Sequence, residues 1–226
     1  EDDPGILLRA FNALKDLPDT HLTFSILEID GDSVRDLLGT KGGSRRVDLH
    51  HDAAAGFTKA RGAAELKILN HGTLRAVLES AKRTRRAKTP EDQLRLERSH
   101  VLYRLFVKTA SSVKLLQLVL LAAPRLHGDE DLDAAKHADR ARRQQEQAAQ
   151  NAEASRTNKC LTQLATVLQA VQSKTAHVPY RSTKLSYALQ GTLGGANKCV
   201  VISHVNPDRE SMPENIVSLK FAATVH

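Results

Sequence analysis

The stretch from Ser155 to Pro207 constrains the fold most. Cys160, Leu161, Leu164, Val167, Leu168 and Val171 recur at three- and four-residue steps, so they line one apolar stripe of a helix that must bury against something. His177-Val178-Pro179-Tyr180-Arg181 then breaks the helix at its proline and puts basic and aromatic groups in a loop. A second helix, about Ser182 to Leu193, ends at Gly194-Gly195, where a left-handed φ carries no steric cost. The β-branched run CVVISHV, residues 199–205, reads as a strand buried on both faces, and Asn206-Pro207 closes it.

Composition narrows the partners. Lys+Arg number 33 against 26 Asp+Glu, and the formal charge of +7 favours an acidic surface: a filament, nucleic acid or anionic lipid. Five Phe, three Tyr and no Trp make a stacking platform for single-stranded nucleic acid unfavourable. The longest apolar runs are too short to span a bilayer, so neither nucleic acid nor membrane is the expected partner. Cys160 and Cys199 lie far apart without CxxC spacing and read as reduced core thiols. His50-His51 lacks a third ligand at metal spacing, so it reads as a solvated turn and no metal is expected.

Earlier in the chain, Pro4 to Leu17 reads as a helix with Ile6, Leu7, Ala10, Phe11 and Leu14 on one face. His21 to Ile29 alternates as a half-buried strand, and Leu66 to Arg83 reads as a helix with Leu69, Leu74, Val77 and Leu78 inward. The basic run from Lys82 to Lys88 reads as a solvated helix end, its cations opposing the negative pole of the dipole. Gly39 to Arg46 has glycines and cations but no Gly-Lys-Ser/Thr at a helix start, so a surface loop is expected rather than a phosphate cradle. Val101, Tyr103, Leu105 and Val107 alternate as a strand, and Leu115 to Ala123 reads as a central strand buried on both faces.

These motifs resemble the C-terminal half of a kinesin motor domain. The carriers are Asn158, Lys159, Leu161, Leu164, Val167 and Ala170; then His177 to Arg181 with Lys184-Leu185; then Leu193-Gly194-Gly195. Residues 28–38, EIDGDSVRDLL, resemble the family's EIYNE..YDLL with Asp30-Gly31 in place of Tyr-Asn, and the closing MPENIVSLKFAATV resembles its last helix through Ile216, Leu219, Phe221 and Ala222. The resemblance implies a three-layer α/β fold of kinesin type, similar to P-loop NTPases, with a mixed central sheet and helices on both faces. It implies that residues 158–171 relay nucleotide state and that Lys174, His177, Tyr180, Arg181 and Lys184 face a microtubule.

The resemblance also locates two degenerate switches. Arg98-Ser99-His100 match switch I, but Glu97 replaces the serine that ligates Mg²⁺, adding like charge beside a triphosphate. In switch II, Leu120 replaces the Asp that orders the metal's water, Ala123 the Gly that meets the γ-phosphate, and Arg125 the Glu that pairs with the switch I arginine. If Arg98 and Arg125 meet as in the family, a latch becomes a repulsion. Hydrolysis and tight nucleotide binding are therefore not expected, and neither is a cofactor; ATP and Mg²⁺ enter only under a motor reading.

The whole chain, 1–226, reads as a partial kinesin-like motor domain, with 129–156 as an extended helical insertion before the relay helix. The family's first three strands and its P-loop precede the matched region, so an upstream segment or another chain is expected to flank the strand at 199–205. The leading expectation is a non-catalytic microtubule-binding or structural module of the cytoplasmic cytoskeleton, in a spindle or an axoneme. Two alternatives stand beside it: an ATP-driven motor whose P-loop lies upstream, and an interaction scaffold that has left the microtubule.

Overall fold

The computed structural model describes residues 5–39, 47–123, 158–194 and 197–224. Helix α1 (Gly5–Lys15) leads into strand β1 (His21–Asp30), which turns at Gly31 into β2 (Ser33–Asp36). A hairpin follows, β3 (Asp48–Asp52) and β4 (Phe57–Arg61), then β5 (Leu66–Ile68), α2 (His71–Thr84) and α3 (Pro90–Arg98). Strands β6 (His100–Lys108) and β7 (Val113–Leu120) precede helix α4, residues 158–172. A 3-10 turn at Tyr180–Ser182, the short α5 (Lys184–Ala188) and α6 (Met212–Ala223) complete the described residues.

The main sheet runs β2-β1-β6-β7, with β5 also on β1, and each described pairing is antiparallel. Alternation along β1 and β6 sends Leu22, Phe24, Ile26, Val101 and Leu105 to one face, where they pack with Leu8 and Phe11 of α1 and Leu74, Val77 and Ala81 of α2. Leu27, Ile29 and Leu102 point the other way, onto Cys160, Leu164, Val167 and Leu168 of α4 and Leu185 and Ala188 of α5. The expected α/β layering is present. The stripe predicted for α4 is the buried one, and Val167 is fully enclosed.

Several sequence expectations are corrected by this packing. Strand β1 is buried on both faces rather than half-buried, because helices cover each side of it. In α1, Leu8 points inward and Ile6 is exposed. Residues 66–68 pair with β1 as a strand, and α2 begins only after Asn70, whose side chain accepts the Thr73 N–H at 2.9 Å; Leu69 is left exposed. His50 and His51 lie in β3, paired with Lys59 and Thr58, rather than in a turn. The second helix of the C-terminal half is confined to α5, set by a Thr183–Ser186 capping box. Gly191 beyond it has φ +86, and the carbonyl of Gly56 lies where a Cβ would stand, so both the backbone and the packing require glycine there.

The largest corrections concern the far side of the sheet. Strand β7 pairs with β6 only, among the described residues, and is partly exposed, with Leu116 and Leu120 on the surface. Residues 199–205 form no strand: Val200 is 82% and Ile202 61% exposed, and Cys199 is an exposed thiol rather than a core one. The run is therefore not the buried strand expected of it among the described residues, since a β-branched run becomes a strand only where a ladder meets it and no described strand lies alongside. In α6, Ile216 and Leu219 are exposed, and Phe221 is the residue that packs against the α4–α5 core. The loop at 40–46, the insertion 129–156 and Arg125 lie outside the described residues.

Candidate functional site

Glu28 lies in β1 between Leu27 and Ile29, and its side chain is wholly buried. Its Oε1 accepts from the Ser99 hydroxyl at 2.9 Å and from Arg85 Nε at 3.1 Å, while Arg35 and Arg95 each come within 3.4 Å of Oε2. Arg85 also donates to the Leu96 carbonyl at 3.0 Å and to the Ser99 hydroxyl at 3.1 Å, which ties the end of α2 to the end of α3. A buried carboxylate is tolerable only with such neutralisation. Arg85 is therefore no part of a solvated basic run.

The switch I positions sit on this network. Glu97 accepts from Gln93 at 2.9 Å along α3. Arg98 grips Asp30 with two bonds, Nε to Oδ1 at 2.8 Å and Nη2 to Oδ2 at 2.9 Å, the planar fork that a guanidinium makes with a carboxylate. Asp30 stands where the kinesin motif has tyrosine. Ser99 is enclosed, and His100 accepts the Ala122 N–H on Nδ1 at 3.0 Å, so the first strand-end is bonded to the second. Burial pushes the His100 pKa down to about 4, with Asp30 pulling the other way.

The switch II positions are bare by contrast. Leu120 closes β7 with 54% of its surface exposed, and Ala123 is exposed beyond it. The two stretches lie side by side, since Val101 pairs with Leu120.

The predicted filament residues divide into two groups. Lys174, with φ +49, and His177 are exposed in the turn after α4. Arg181, exposed, and Lys184, half-buried, line one shallow recess with Asp32 and Tyr187, and the Arg181 guanidinium lies 5.8 Å from the centre of the Tyr187 ring. Tyr180 is not a free surface group: its hydroxyl donates to the Leu193 carbonyl at 2.9 Å, and burial raises its pKa. Sequence reasoning missed Asp32, Tyr187, Glu28 and Arg85 as site members. Only Glu28 left a signal, as a charge set directly between Leu27 and Ile29.

A helix-covered α/β sheet with two switch-like strand ends side by side, followed by a relay helix and a basic turn, defines a domain of kinesin type. The profile of the kinesin motor domain matches residues 1–226, and the chain belongs to that family. It is 27% identical to the kinesin-like protein KIN-14G of Arabidopsis thaliana, over 100% of this chain and 23% of that protein. It is 29% identical to KIFC1 of Homo sapiens (99% and 34%) and 31% identical to KIFC2 of Mus musculus (99% and 29%), both kinesin-like proteins. Among solved structures, the C-terminal motor and motor homology domain of Kar3Vik1, fused to a synthetic heterodimeric coiled coil, is similar at TM-score 0.69 and 26% identity, over 96% of this chain and 55% of that one. The chain thus spans about a quarter to a third of the length of these curated relatives, and little more than half of that solved chain.

Proposed function

We propose that this chain is a kinesin-type microtubule-binding module of the cytoskeleton whose switch segments no longer sense nucleotide. The observation that carries the reading is the Arg98–Asp30 clamp. In the kinesin pattern this arginine answers to a switch II glutamate; here it is held by a carboxylate of β1, beside Ser99, which is tied to Glu28 of the same strand. Strand β1 is paired along both of its edges. Glu97, Leu120 and Ala123 further remove a metal ligand, a water-ordering carboxylate and a backbone contact from the places where the motif has them.

Lys174, Arg181 and Lys184 supply the cations of the filament face, with His177 exposed and Tyr180 as its packed anchor. A segment outside this chain or a companion chain completes the sheet beside β7 and residues 199–205. ATP and Mg²⁺ belong to this protein only under the second reading, a motor whose nucleotide site lies in the part of its relatives that this chain does not span. The match to motor-domain structures favours that reading.

Co-sedimentation with microtubules in ATP, ADP and no nucleotide, across a salt series, decides between them. The module reading expects one affinity in all three states, weakening with salt as screened charge does, and lost in an Arg181→Glu, Lys184→Glu variant. An affinity that changes several-fold between ATP and ADP supports the motor. No sedimentation at any salt leaves a scaffold.

A further inference from the structure

Lys82, Arg83, Arg86 and Lys88 stand exposed on the last turn of α2 and the segment beyond it. Arg75, also exposed, lies further back on the same stripe, since positions 75, 79, 82 and 83 recur at helical steps. Arg85, in the midst of the run, turns inward to Glu28, Leu96 and Ser99, which pins the end of the helix and holds its neighbours on the surface. From Arg75 to Lys88, five exposed cations stand with one carboxylate, Glu79. Glu79 accepts from Lys82 at 2.8 Å, and that bond together with the charges of Lys82, Arg83 and Arg86 holds its carboxyl below the usual range, so these cations share one small area. Among the described residues, no carboxylate comes within ion-pair distance of Arg75, Arg83, Arg86 or Lys88.

This surface is remote from the predicted filament residues. Helix α2 packs Leu74, Val77 and Ala81 onto one face of the sheet, whereas α4 and α5, which carry Lys174 and Lys184 at their ends, cover the other. The exposed neighbours Ala76, Ser80, Thr84 and Ala87 are small, so there is neither a ring for a nucleobase to stack on nor an apolar wedge for a bilayer. Single charges spaced along a stripe suit single carboxylates on a flexible chain. The helical part, Arg75 to Arg83, is about 12 Å long, and roughly four to six extended residues at about 3.3 Å each cover it and the cations beyond.

We propose that Arg75, Lys82, Arg83, Arg86 and Lys88 form a second docking surface, for an acidic polypeptide segment, on the side of the sheet away from the filament face. The surface itself stands on α2; only its distance from a filament rests on the reading above.

The test uses fluorescein-labelled hexaglutamate, titrated by anisotropy at low salt into the full chain carrying Arg181→Glu and Lys184→Glu, so that the filament face is silenced. Binding persists in that background and weakens as salt is added. Adding Arg83→Glu and Arg86→Glu, at exposed positions outside the Glu28 network, weakens it at least about ten-fold, whereas Arg83→Lys with Arg86→Lys keeps it. Arg83→Gln with Arg86→Gln, for which a smaller loss is expected, serves if the reversed pair does not fold. No microtubule enters the measurement, so it is decided apart from the filament reading. An affinity unchanged by the Arg83 and Arg86 substitutions, or abolished by the Arg181 and Lys184 pair alone, overturns the proposal and leaves a solvated helix end. A short DNA duplex bound more than about ten-fold tighter than the peptide through the same cations overturns the choice of partner.

Discussion

The start of β6 and the end of β7 are neighbours in one sheet and carry the two switch-like stretches, yet they are built in opposite ways. At β6, Arg98, Ser99 and His100 are each bonded to another element, through Asp30, Glu28 and the Ala122 N–H. At β7, Leu120 and Ala123 are exposed, and the described tie to β6 beyond the strand ladder is the one from His100. The difference shows where substitution is restrained. The first stretch holds a buried charge network together, so its motif is kept for packing even if nucleotide sensing is gone. At the second, Leu120 and Ala123 face outward among the described residues, so packing places little restraint on what stands there.

The comparison breaks most sharply at Glu28. Glu28→Gln leaves Arg35, Arg85 and Arg95 around an uncharged group, and urea unfolding is expected to show a loss of about 3–5 kcal/mol, the usual penalty for stranding buried charge. A loss under 1 kcal/mol would mean that water reaches the cluster.

Acid sharpens it next. The folded pKa of His100, about 4, lies below the ordinary 6.5, so the unfolded chain binds the proton more readily. Its contribution is complete above about pH 6.5 and is lost as pH falls towards 4, amounting to about 3 kcal/mol if the full shift is realised. Stability followed by denaturant titration from pH 7 to 4 should decline, and His100→Gln should flatten that limb.

Asp30→Asn frees one half of the clamp on Arg98. A part-buried, two-pronged ion pair is worth roughly 1–2 kcal/mol, and exchange of the amides at the end of α3 should quicken. Unchanged exchange would mean that the clamp does not hold the end of α3.

Leu120→Asp restores the acidic residue of the kinesin pattern at an exposed site. The change in stability should stay within about 0.5 kcal/mol, and no microtubule-stimulated phosphate release should appear. Release above background would show that one substitution had silenced a working site.

How much was legible follows from how local each signal is. The stripe on α4, the break at Pro179 and the β1 and β6 strands were readable, because periodicity and proline act over a few residues. The missed helix start at Asn70 and the β3–β4 hairpin depended on pairing with distant segments, which a short apolar or His-rich run does not announce. Arg85 illustrates the same limit at the site: within Lys82 to Lys88 it is indistinguishable from its neighbours, and only the arrival of Glu28 from β1, 57 residues earlier, selects it.

The sequence by itself determined the family, through motif spacing from residue 28 to the last helix, and the α/β layering, through helical and strand periods that local sterics enforce. Only the tertiary structure decided which charges are structural. Arg98 pairs with Asp30, Arg104 is enclosed against the Thr58 carbonyl of β4, and residues 199–205 are exposed rather than central. The physical reason is that burial and pairing are long-range properties: a β-branched run becomes a strand, and an arginine becomes a latch, only when another part of the fold meets it.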